Sequence, residues 1–202
     1  MKQKKGIVVV LGLVLIIAIT SFVFLNFGLY KSETVTNQQM ESFSTMEPEV
    51  DLSQTIYLHV VRGDPIGNAL EKELKEELQR GGEVKSFINL EGNFDGPAVA
   101  AKVLRTDIFY TPFYSHADVD VLFFFSSTGN TTYFPKFVRA EFGGENVPVI
   151  FHSQEGPQLI VKSKIKVKDT TYGVFSLKGY HSHLAEEITK QINMNMDEIS
   201  KK

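Results

Sequence analysis

Two histidines one residue apart, His181 and His183, stand just before Glu186 and Glu187. On a strand the two imidazoles would share a face; on a helix His183 and Glu186 would. These groups ligate metals, but zinc draws three or four convergent ligands, and only a pair of histidines is offered here. The same residues also read as a helix start, with Ser182 as N-cap and the glutamates in the positive first turn. A second cluster, His116 with Asp118 and Asp120, could serve acid–base or paired-carboxylate hydrolysis. No Gly-x-Ser-x-Gly elbow supplies a nucleophile, and nothing marks a partner for the carboxylates. Solvated loop and strand residues account for the cluster more simply. No catalytic residue and no metal ligand is assigned from these positions.

The segment Phe124-Phe125-Ser126-Ser127-Thr128-Gly129-Asn130-Thr131 is the other chemical candidate. It resembles the phosphate loop of flavodoxins, in which a buried strand runs into Ser/Thr-x-Thr-Gly-Asn-Thr and then a helix. The resemblance implies that Ser126, Thr128, Gly129, Asn130 and Thr131 bind the phosphate of FMN through hydroxyls and backbone N–H groups. Flavodoxins place this loop after the first strand and follow it with four more βα units. Only 71 residues follow Thr131 here. A polar turn after a buried strand is the competing reading. Asn130-Thr131-Thr132 is also a sequon for N-glycosylation at Asn130.

A third candidate is a row of cations. In Leu159–Lys168, Leu159, Val161, Ser163, Ile165 and Val167 alternate with Lys162, Lys164, Lys166 and Lys168. Strand geometry puts the two sets on opposite faces. Such a lysine face commonly protects a strand surface. As a binding surface it would take anionic glycans, lipid headgroups or an acidic partner. It stands out because residues 31–202 carry 18 Lys plus Arg against 24 Asp plus Glu, a net of −6. That balance argues against a general nucleic-acid binder. The absence of cysteine excludes disulfides, thiolate metal sites and a thiol nucleophile.

The elements that must carry these residues can be read from pattern. A strand at Thr55–Val61 precedes Asp64-Pro65, an N-cap followed by proline at the first helical position. Ile66, Ala69, Leu70, Leu74 and Leu78 then make one stripe, ended by Gly81-Gly82. Val84–Leu90 completes a β-α-β opening. Long strands follow at Ala98–Tyr110 and Val119–Phe125, the second apolar on both faces as a doubly covered strand should be. Thr131–Phe142 satisfies helical and alternating templates alike. Val147–Phe151 reads as a short strand, and Asp169-Thr170 as the turn of a hairpin running from Leu159–Lys168 into Tyr172–Leu177. A last helix is expected from about Ser182 to Ile199.

What places the domain is the amino end. Gly6 to Tyr30 carries no charge and follows Lys2, Lys4 and Lys5. As a helix this run would reach about 37 Å, enough to cross a hydrocarbon core of about 30 Å. It exceeds the apolar region of a cleaved signal, and no small-x-small cleavage site follows. The lysines set the amino end in the cytoplasm. Lys4-Lys5-Gly6 also resembles the processing site of type IV prepilins, although Leu11 stands where those usually carry glutamate.

The expected organisation is a cytoplasmic basic end (1–5), a transmembrane signal anchor (6–30), a flexible linker (31–51) and an extracytoplasmic α+β domain (52–199). Its sheet would be mostly antiparallel, with about six or seven strands and two clear helices. The expected function is a membrane-anchored ligand- or partner-binding module without catalysis or cofactor. A membrane-tethered FMN or phosphate-binding protein and a pilin-like or envelope-assembly subunit are the alternatives. Expected partners are the bilayer, through residues 6–30, and an envelope protein or anionic ligand.

Overall fold

A computed structural model describes residues 11–14, 16, 25–45, 50–87, 92–144, 146–151 and 157–201. The chain is α+β. Its strands are β1 (Gly28–Ser44), β2 (Ile56–Val60), β3 (Val84–Ser86), β4 (Ala98–Tyr110), β5 (Tyr114–Ser126) and β6 (Leu159–Phe175). The helices are α1 (Pro65–Leu78), α2 (Tyr133–Gly143) and α3 (Leu177–Ile199), with residues 11–14 and 16 also helical. The strands form one sheet in the order β1-β6-β5-β4-β2-β3. The four long strands pair antiparallel, whereas β4-β2 and β2-β3 are parallel.

Local chemistry explains the β2-α1-β3 opening. Asp64, in an extended conformation, accepts a hydrogen bond from the Gly67 N–H at 2.8 Å, and Pro65 needs no partner for a missing donor. The stripe Ile66, Leu70, Leu74 and Leu78 then lies buried. It packs with Leu184, Ile188, Ile192 and Ile199 of α3 onto one sheet face made by Val119, Val121, Phe123, Val161, Ile165 and Val167. On the opposite face α2 sets Phe134 and Phe137 over Ala100, Leu122, Phe124 and Ile160. That makes Val121–Phe125 the doubly covered strand its composition predicts; every one of those side chains is fully buried.

Several expectations need correction. Residues 31–44 of the expected linker are strand: β1 pairs with β6 from Gly28↔Phe175 to Ser44↔Leu159, and residues 46–49 lie outside the described residues. β1 lacks an apolar period because it is an edge strand held by its ladder, with mostly exposed side chains. The domain therefore begins before residue 52. β6 runs unbroken through Asp169-Thr170, so no hairpin exists there. The turn is Thr111-Pro112-Phe113, and β5 starts at Tyr114 rather than Val119. Thr131–Phe142 resolves as helix α2, residues 147–151 form no strand, and α3 begins at Leu177 with Ser176 rather than Ser182 as its cap.

Among the described residues no helix is long and apolar enough to cross a membrane. Most of the transmembrane expectation for 6–30 lies outside the described residues. Its last part does not: Gly28–Tyr30 are already strand.

Candidate functional site

Among the described residues, helix α2 and the segment 147–151 cover one end of their sheet face, and toward the other end Asn37, Gln39, Lys166 and Lys168 are exposed. Alternation along β6 sends Lys162, Lys164, Lys166 and Lys168 to that face, as the sequence pattern requires. Each meets a carboxylate. Lys162 lies 3.2 Å from Glu41 on β1, and Lys164 lies 2.8 Å from Glu141 on α2. Lys166 and Lys168 lie 3.6 and 3.4 Å from Asp120 and Asp118 on β5. The Glu141 hydrogen bond holds the Lys164 ammonium above the usual lysine range. The face is thus a charge-alternating ladder rather than a free anion trap. A shallow groove of about 330 Å³ crosses it, lined by Asn37, Gln39, Lys164 and Lys166. Asn37 and Gln39 are exposed, and their amides offer both donors and acceptors.

Toward the β4–β5 turn the same face becomes aromatic. Phe109 stacks on His116 with centroids 5.4 Å apart, and Tyr114 meets Tyr172 at 5.1 Å. His116 is therefore a stacking partner on an open strand. Asp118 and Asp120, which do share a face, are each committed to a lysine.

The Ser126–Thr131 loop is tied to the segment before β4. Thr131 donates its N–H and its hydroxyl to the Gly92 carbonyl, both at 3.1 Å, and Phe94 N–H donates to the Gly129 carbonyl at 3.3 Å. Asn130 Oδ1 accepts from the Thr132 N–H at 3.1 Å and the Thr132 hydroxyl at 2.7 Å. Ser127 Oγ accepts from Leu159 N–H at 2.9 Å. Gly129 adopts φ +73°, and a Cβ there would lie 2.4 Å from the Phe94 carbonyl oxygen and 2.6 Å from that of Gly96. A glycine is needed because backbone passes directly over it. Ser126 is sealed from solvent, and Thr128 is half-buried. The Ser127, Asn130 and Thr131 side chains are thus spent within the fold, while Ser126 Oγ is buried without a hydrogen-bond partner among the described residues.

His181 and His183 do not converge. His183 is buried and places Nε2 3.0 Å from Asp169 Oδ1. Asp169 also accepts from Thr34 and Thr171, both at 2.7 Å, and from the Tyr180 hydroxyl at 3.0 Å. Burial pushes the Asp169 carboxyl up, but the hydrogen bonds from His183, Thr171 and Thr34 outweigh it and hold the group below the usual carboxylate range. Burial, reinforced by Asp169, keeps the Tyr180 phenol protonated far above its ordinary range. Tyr30 lies edge-on to His183, with centroids 5.1 Å apart. Burial lowers the His181 imidazole, against a small opposing pull from Asp64. The network welds β1, β6 and α3 together. Asp169 was legible only as the next inward position after Val167 in the alternation of β6. Among the described residues no three His, Cys, Asp or Glu side chains cluster as a metal site.

No family model matches the chain, and no curated protein matches its sequence. Among solved structures, the PelC dodecamer from Paraburkholderia phytofirmans matches in two crystal forms at 12% identity. The match covers 74% of this chain and 94% of that one, with a TM-score of 0.32. A likeness of that size carries no argument about this chain's fold or function.

Proposed function

We propose that this chain is a single-pass membrane-anchored protein whose extracytoplasmic domain is a binding module, working through the uncovered face of its sheet and without catalysis. The observation that carries the reading is the uncovered face itself. One face of the six-stranded sheet packs on α1 and α3; the other is covered at one end by α2, and among the described residues the rest of it carries a groove of exposed amides and paired lysines. Balanced charge and free amides suit a polar ligand or a polypeptide with matching alternation better than a simple anion. The uncharged run after Lys2, Lys4 and Lys5 supports the anchor and its direction. Against the FMN alternative stand the loop's internal hydrogen bonds and the backbone packed onto Gly129.

The test is site-specific photo-crosslinking in cells expressing the full chain. A benzophenone residue at Asn37 or Gln39 is expected to give a discrete adduct. The same probe at exposed Glu76, on the helix-covered side, should give none. Equal adducts from all three positions, or none from the open face, would overturn the reading.

A further inference from the structure

We propose that the end of the sheet formed by the start of β1, the β4–β5 turn and the β6–α3 junction is a second membrane-contact surface. The domain would then dock rigidly in the lipid interface instead of floating on a tether. This rests on the reading of the amino-terminal run as a bilayer anchor.

The first support is where that run ends. The Phe27 N–H donates to Ser176 Oγ at 3.2 Å, and the Ser176 N–H donates to the Phe27 carbonyl at 2.9 Å. The Ser176 hydroxyl also donates to the Leu25 carbonyl. A Cβ on residue 179 would come within 2.5 Å of the Phe27 oxygen, so glycine at that place lets the chain lie on the first turn of α3. β1 begins at Gly28, leaving no slack between the pinned residues and the sheet. The uncharged stretch from Gly6 to Leu25, if helical, is about 30 Å long, the thickness of a hydrocarbon core. The bilayer surface must then lie beside Leu25, at this end of the sheet.

The second support is what that end displays. Leu29 is 72% exposed, Phe113 67%, Tyr172 55% and Val174 42%. Register puts Leu29 opposite Val174, and Tyr114 opposite Tyr172. The turn cannot withdraw, because Gly173 and Phe175 N–H groups donate to the Phe113 and Pro112 carbonyls, both at 3.1 Å.

The third support is charge. Residues 25–32, 109–114 and 172–179 contain no Asp or Glu, in a region of net −6, but they do contain Lys31 and Lys178, both exposed. Apolar and aromatic side chains with flanking lysines and no carboxylates are what an interface of hydrocarbon and anionic headgroups accepts.

The chain has no cysteine, so single-cysteine labelling is unambiguous. The full-length protein, carrying an environment-sensitive NBD probe at one position, is reconstituted into phosphatidylethanolamine–phosphatidylglycerol vesicles with or without nitroxide-labelled lipid. Tyrosine near-UV circular dichroism confirms that each variant is folded. Phe113→Cys and Leu29→Cys should give blue-shifted emission that the nitroxide lipid largely quenches. Leu13→Cys, in the anchor, should be quenched as well. Asp95→Cys, beyond the far end of β5 and about 40 Å from the turn, should be neither shifted nor quenched. Quenching at Leu13→Cys without quenching at Phe113→Cys would overturn the docking surface while leaving the anchor. No quenching at either would overturn both. A blue shift at Phe113→Cys without quenching would mean that protein, such as a second copy, covers the tip, and would also overturn the proposal.

Discussion

Replacing Asp169 by alanine separates two accounts of β6. As a turn residue in an exposed hairpin, Asp169 would be worth no more than about 0.5 kcal/mol, the usual effect of a surface substitution. In the structure it is a buried carboxylate holding donors from Thr34, Thr171, Tyr180 and His183. Removing it strands the Thr171 and Tyr180 hydroxyls, both fully buried, and leaves His183 without its partner. Each buried donor left without its acceptor costs about 1–3 kcal/mol, so a loss of several kcal/mol is expected. Thr171→Val removes one donor and leaves three, so about 0.5–1.5 kcal/mol is expected. The assay is urea unfolding of the full chain in detergent, followed by tyrosine near-UV dichroism because the protein has no tryptophan. A loss below about 1 kcal/mol for Asp169→Ala would refute the buried network.

Gly129→Val should destabilise more than Asn130→Ala, since the first forces a Cβ into backbone 2.4 Å away. The second removes two hydrogen bonds worth about 0.5–1.5 kcal/mol each, and saturable FMN binding lost in Asn130→Ala would instead restore the phosphate-loop alternative. Stability should fall as pH drops below about 6.5, because the unfolded chain protonates His181 before the folded one does. His181→Gln should flatten that part of the denaturant-midpoint profile. A second loss belongs to Asp169, whose stabilisation is complete above the unfolded carboxylate value of about 3.9 and vanishes as pH falls through its lower folded value. Lys166→Met should cost more than Lys162→Met, because Asp120 is far less exposed than Glu41, and the same unfolding assay would show the order.

The sequence displayed what local chemistry controls. Asp64-Pro65 and the leucine stripe placed α1, and the alternation of Leu159–Val167 against four lysines assigned both faces of β6. It concealed what depends on distant partners. β1 has no apolar period because a seventeen-residue ladder to β6 holds it, and a ladder leaves no mark on side-chain pattern. Asp169 looked like a turn because an aspartate in a strand is ordinarily unfavourable; here four donors from three other positions of the fold and its own strand reverse that preference. Ser176 was passed over as the cap of α3 because Leu177-Lys178-Gly179 offers no helical stripe until Tyr180 and Leu184 follow. The lysine row was visible as a row, but its carboxylate partners, Glu41, Glu141, Asp118 and Asp120, come from three different elements.

The anchored, outward-facing domain is most directly tested by labelling intact expressing cells with a membrane-impermeant maleimide. The full chain with Asp95→Cys, whose position is exposed at the far end of the sheet, should label without permeabilisation. Lys4→Cys, in the basic amino end, should label only after the membrane is opened. The reverse pattern, or protection of Asp95→Cys equal to that of a cytoplasmic control, would contradict the account.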